Sequence, residues 1–210
     1  MDVSHALIAF ALAAGALTIT PGLDSTLVLR TAAVEGPRRA ALAGIGILLG
    51  CMVWGFAAAV GIGAVLAASK LAYAVLRLVG ATYLIFMGAQ MLWRAYRPSN
   101  TATAAVVPSQ RRGSWFWRGL LTNLLNPKVG VFYVTFLPLF VPAGVNVTLF
   151  SMLLTLIHVA ETVLWFALLI LATRPLAKWL QRSSVKRALD GVAGTVLIGF
   201  GGALLLGRTR

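Results

Sequence analysis

Six apolar runs occupy nearly the whole chain, at about residues 5–29, 40–66, 71–93, 115–140, 148–173 and 188–207. A helix needs about 20 mostly apolar residues to cross the hydrocarbon core of a bilayer. Each run is long enough for one crossing, and in 210 residues no length remains for a soluble domain. The chain is 60% hydrophobic and only 11% charged, whereas a soluble domain carries roughly a quarter charged residues. The sequence therefore predicts an all-α, polytopic membrane protein of six transmembrane helices, with lipid solvating most of its surface. The start, Met1-Asp2-Val3-Ser4-His5, has no basic region, so the first run reads as a retained helix and not as a cleaved signal peptide.

The net charge of +13 does not point to nucleic acid, because the basic residues sit in short loops between apolar runs. Arg30, Arg38 and Arg39 follow the first run. Arg94, Arg97, Arg111, Arg112 and Arg118 lie in or beside the central connector. Arg174, Lys178, Arg182, Lys186 and Arg187 follow the fifth run. The opposite side holds Lys70, Arg208 and Arg210, a division of thirteen against three. Cytoplasmic loops carry the excess of Lys and Arg, which places both termini outside. The polar stretch from Arg94 to Ser114 divides the chain into halves of about 1–105 and 106–210, with three helices each. An odd number of crossings per half makes the second half enter from the opposite side, so related halves would form an inverted repeat.

The first and fourth helices are each interrupted by proline. The first reads Thr18-Ile19-Thr20-Pro21-Gly22-Leu23-Asp24-Ser25, and the fourth reads Asn123-Leu124-Leu125-Asn126-Pro127-Lys128. A weak echo precedes them: Gly15-Ala16-Leu17-Thr18 in one, Gly119-Leu120-Leu121-Thr122 in the other. Proline inside a helix removes a hydrogen bond and clashes with the preceding turn. At the first position of a helix it is favoured, with Thr or Asn suited to the cap before it. Thr20-Pro21 and Asn126-Pro127 thus read as helix restarts in mid-membrane, each exposing free N–H groups and the positive end of a dipole. Backbone of that kind is tolerated at such depth only where protein or a wet cavity covers it, and it suits a carboxylate. A simple proline kink is the plainer reading of either break alone.

Of the five acids, Asp24 and Glu161 lie inside apolar runs. A charge at a helix centre costs about 2.5–3.5 kcal/mol, so each needs a partner, a wet cavity or a proton. Asp24 falls in the first turn after Pro21, where it complements the helix dipole, holds a substrate ammonium or carries a proton. His158 lies three residues before Glu161 and shares its face. The two form either a proton-coupling pair or a neutral contact between helices. Lys128, just past the second break, either meets a carboxylate or snorkels to the surface. Gly46, Gly50, Gly80, Gly88, Gly191, Gly194, Gly199 and Gly202 read as packing positions. Trp54, Trp93, Trp115, Trp117 and Trp179 supply the candidate interface anchors.

Two histidines and the single cysteine, Cys51, are scattered, which argues against a metal site and excludes an internal disulfide. Neither a nucleophile–base set nor an HExxH motif is present, so no enzyme is predicted, and no cofactor. The two matched breaks argue against a purely structural membrane protein.

Several stretches together resemble the LysE/RhtB-type amino-acid translocators, bacterial inner-membrane exporters. They are Thr20-Pro21-Gly22, the Gly44/Gly46/Gly50 run, Leu78-Val79-Gly80-Ala81-Thr82-Tyr83-Leu84, and Gly119 through Lys128. Phe136-Leu137-Pro138 and Leu189-Asp190-Gly191 with Gly194 and Gly199 complete the set. Leu23 stands where the family pattern has a second proline. The resemblance covers nearly the whole chain and implies efflux of amino acids or close derivatives from the bacterial inner membrane, in exchange for protons. Metal-ion efflux by a related fold is the alternative. The expected translocation residues are Thr20, Pro21, Gly22, Asp24, Asn123, Asn126, Pro127 and Lys128, with Asp24, Glu161 and His158 for protons. The expected partners are the solute, protons and membrane lipid; a homo-oligomer is left open.

Overall fold

The computed structural model describes residues 2–20, 22–68, 70–96, 114–171 and 182–206. Pro21, the central connector over 97–113, the loop residues 172–181 and the tail over 207–210 lie outside the described residues. Among those described, the regular secondary structure is helical throughout. The order is α1 (Val3–Ile19), α2 (Leu23–Val34), α3 (Pro37–Ala68), α4 (Lys70–Tyr96), α5 (Trp115–Leu124), α6 (Pro127–Val131), α7 (Val147–Leu171) and α8 (Ser183–Leu206). A π turn (Phe132–Phe136) and a 3-10 turn (Leu137–Phe140) extend α6. Pro138 lacks the N–H that would continue the α ladder there.

Pro37–Gly61 of α3 and all of α7 are each long and apolar enough to cross a membrane. The pairs α1 with α2 and α5 with the Pro127–Phe140 segment each make one further candidate span, bent by 51° and 53°. At about 1.5 Å per residue, α4 with 27 residues and α8 with 24 match a span in length but lack the sustained apolarity of these four. Between α2 and α3, Gly36 takes φ 94, and its N–H bonds to the Thr31 carbonyl. That left-handed residue closes α2 and lets Pro37 open α3 at a position proline favours.

Large apolar side chains cover much of the surface. Ile8, Leu12, Phe56, Phe86, Leu149 and Leu164 are all exposed. Meanwhile Thr20, Asn123, Asn126, Ser151, Thr155, His158 and Thr162 are buried. This arrangement suits lipid outside and polar contacts within. Glycines bring helices to backbone distance. A Cβ at Gly46 would overlap the Phe116 carbonyl, and one at Gly119 would overlap that of Ala43, so α3 and α5 meet there. Gly88 and Gly194 do the same for α4 and α8, with 2.6 and 2.7 Å from each built Cβ to the other glycine's carbonyl oxygen. Phe10 of α1 packs among Phe132, Phe136 and Phe140, with ring centroids 5.5–6.3 Å away. That cluster ties α1 to the far side of the second break. Trp54 is no interface anchor: its indole lies against Gly130, with Nε1 buried.

Candidate functional site

The two breaks differ in construction. At the second, α5 ends at Leu124 and Asn126 caps the restart, its side-chain oxygen accepting from the Lys128 N–H at 3.1 Å. Pro127 occupies the first helical position, as the sequence predicts. At the first break the prediction fails in one respect. Thr20 ends α1 instead of capping α2, and its hydroxyl donates back to the Ala16 carbonyl at 2.7 Å. With that oxygen turned back toward α1, the cap of α2 falls to Gly22, in extended backbone (φ −148°, ψ −173°) with no side-chain cap. The first N–H groups of α2 are therefore left without a side-chain acceptor from the cap. Asp24 sits in the first turn of α2, as expected.

Side chains from each break reach the other. The Lys128 ammonium donates to the carbonyls of Leu17 at 2.9 Å and Thr20 at 3.2 Å. It thereby satisfies the end of α1 instead of snorkelling to the surface. Asn123 of α5 donates to Asp24 Oδ2 at 2.8 Å and approaches Cys51 Sγ at 3.4 Å. Asp24 Oδ1 and Asn123 Oδ1 are buried without a protein partner.

A cavity of about 40 Å³ lies between the breaks. Among its walls are Thr18, Asp24, Cys51, Asn126, Lys128 and His158. A cavity needs about 10–15 Å³ to hold one water, so this one is large enough to be wet. Asp24 and Lys128 face it with opposite charge, yet no ion pair within 4.0 Å joins them.

Of the predicted residues, Thr20, Gly22, Asp24, Asn126, Lys128 and His158 line this cavity. Asn123 stands behind Asp24, and Pro127 shapes the second break. Pro21 lies outside the described residues. His158 and Glu161 share α7, but no hydrogen bond joins them. His158 Nδ1 lies 2.8 Å from the Tyr133 hydroxyl. Glu161 is half-buried beside Gly15 of α1, with Oε2 buried and unpartnered. Among the described residues, no three His, Cys, Asp or Glu side chains come together.

Sequence reasoning missed Tyr133 and Cys51, and saw in Gly50 the packing but not its partner. Tyr133 carries the one hydroxyl ring in a stretch of phenylalanines (Phe132, Phe136, Phe140), and that was its signal. Cys51 lies one turn beyond Ile47 and looks like core. Gly50 was read as a packing glycine. Its position makes room for Asn123: a Cβ there would overlap Asn123 Oδ1 and lie 2.9 Å from Asn123 Cβ and Cγ.

The family model "LysE type translocator" matches residues 15–208. The threonine efflux protein of Escherichia coli (strain K12) is 32% identical over 90% of this chain and 92% of its own length. The homoserine/homoserine lactone efflux protein of Salmonella typhi is 29% identical over 95% and 96%. The leucine efflux protein of Enterobacter sp. (strain 638) is 26% identical over 90% and 89%. No solved structure matches. The chain belongs to the LysE type translocator family, and is a membrane protein of a transporter family.

Proposed function

We propose that this LysE type translocator exports amino acids or close derivatives across the bacterial inner membrane by proton-coupled alternating access. Relatives named for efflux of threonine, leucine and homoserine support the substrate class. The observation that carries the reading is the pair of oppositely charged side-chain types, Asp24 and Lys128, that face one cavity with no direct ion pair between them. A zwitterion fits such a pair. An ammonium has three donors, and Lys128 uses two of them on the carbonyls of α1. The third, with the uncapped N-terminal end of α2, would receive the substrate carboxylate. The free Oδ1 of Asp24 would receive its ammonium.

Alternating access would require the broken helices to part, first toward one side of the membrane and then toward the other. Two inverted halves, 1–105 and 106–210, would supply that motion across six spans. The helix contacts support this pairing. α5 packs on α3 and α1 on α7, while α3 meets α7 and α4 meets α8 across the halves. Loop charge supports periplasmic termini. Asp24 in the cavity and Glu161 beside α1 are the two carboxyls open to proton exchange, with His158 the imidazole on the cavity wall.

A growth-protection screen tests the reading. Cells expressing the protein are challenged with toxic levels of single amino acids or dipeptides, and release of the winning compound is measured. Asp24→Asn should abolish that release or uncouple it from protons. Protection against no compound would sink the substrate class. Unchanged, proton-dependent export by D24N would remove Asp24 from its role.

A further inference from the structure

A helix C-terminus holds carbonyls without intrahelical partners and the negative end of the helix dipole. In α1 this end is inside the protein, where water cannot serve all of it. The Ala16 carbonyl takes the Thr20 hydroxyl, and the carbonyls of Leu17 and Thr20 both turn to Lys128 Nζ. Two further oxygens on the same cavity, Thr18 Oγ1 and Asp24 Oδ1, are buried with no protein donor. Backbone carbonyls at a broken membrane helix, joined by side-chain oxygens, are the ligand set by which transporters hold a coupling sodium ion. Here a cation already stands among them, delivered from the opposite break on a side chain.

We propose that the Lys128 ammonium is a tethered monovalent cation, filling the cation site that the broken end of α1 creates. An ammonium and a sodium ion do the same electrostatic work there, since both neutralise converging carbonyl dipoles. The ammonium differs in being unable to leave. The native protein then has no use for free sodium at this place. Cutting the side chain back to alanine would leave both the carbonyls and the room for a free cation. The inference concerns the fold around the first break and holds whichever solute is carried.

The test is thermal unfolding of the purified, substrate-free protein at equal ionic strength in sodium chloride, methylammonium chloride or N-methylglucamine chloride, the last cation being too large to enter. Native protein should unfold at one temperature in all three. Lys128→Ala should be stabilised by sodium or methylammonium, with a rise of roughly 2 °C or more at saturating ion. Lys128→Met, which fills the same space with an apolar chain, should gain nothing. Sodium stabilisation of the native protein overturns the inference. So does a Lys128→Ala protein indifferent to both small cations, or a Lys128→Met response as large as that of Lys128→Ala. If Lys128→Ala unfolds on extraction, it is extracted in each salt. Recovery with a small cation supports the site, and recovery in none of the salts overturns it. No transport is measured, so the outcome is separate from that of the export assay.

Discussion

Replacing Gly50 by alanine isolates the contact that aims Asn123 at Asp24. The added Cβ would lie 2.9 Å from Asn123 Cβ and Cγ, and closer still to its side-chain oxygen. Carbon atoms pack best at about 3.5–4.0 Å, so the side chain must retreat by roughly 0.6–1 Å. Asn123 is fully buried, and its bond to Asp24 measures 2.8 Å. A retreat of that size takes the bond beyond useful length. Losing a hydrogen bond to a charged group costs about 1.5–3 kcal/mol, and overpacking adds about 1–3 kcal/mol. The helix-propensity gain of alanine over glycine, about 1 kcal/mol, does not offset this. The net loss is on the order of 2–4 kcal/mol, or about 5–10 °C in unfolding temperature. The assay is thermal unfolding in detergent beside counterflow in proteoliposomes. Gly199→Ala, where the new Cβ meets nothing within 4 Å, is the control. In an Asn123→Ala background, which removes Cγ and Oδ1 but keeps the Cβ at 2.9 Å, the cost of Gly50→Ala should fall but not vanish. The reasoning fails if G50A is as stable as G199A, or if its cost is undiminished without Asn123.

Two further predictions concern the ends of the chain's elements. The inverted topology expects a reporter at Asn100 in the cytoplasm and one at Gly144 outside; both on one side would sink the two-half model. Asp2 caps α1 by accepting from the His5 N–H at 2.8 Å, and that bond together with the His5 side chain holds its carboxyl below the usual range. A lowered carboxyl stabilises the fold above its unfolded pKa, and that contribution disappears as pH falls through the folded value. Protection factors of the backbone amides at the start of α1, taken relative to intrinsic exchange at each pH, should therefore fall in acid, and Asp2→Asn, which still accepts a bond but does not titrate, should flatten that dependence.

What the sequence made legible was local, and what it hid was distant. Proline acts on its own turn, so both breaks could be read from a few residues, and Asn126-Pro127 restarts a helix where expected. Thr20-Pro21 misled because Gly22 follows. Thr20 bonds backward to α1, and Gly22, extended and without a side chain to accept from the new turn, takes the cap two positions later. Lys128 meets Leu17 across 111 positions, and Asn123 meets Asp24 across 99. No periodicity along one helix reports which other helix will face it, so neither pairing was visible. The same shift of cap gives Leu23 a meaning that sequence alone withheld. It occupies the first helical position of α2, the position that favours proline, and the family pattern has its second proline there. Leucine fits that position without distorting it, and unlike proline it keeps its N–H. At a helix start with no side-chain cap, that N–H is one more backbone donor at the end proposed to receive the substrate carboxylate. On the proposed reading, the departure from the pattern adds a donor to the carboxylate-binding end of the first break.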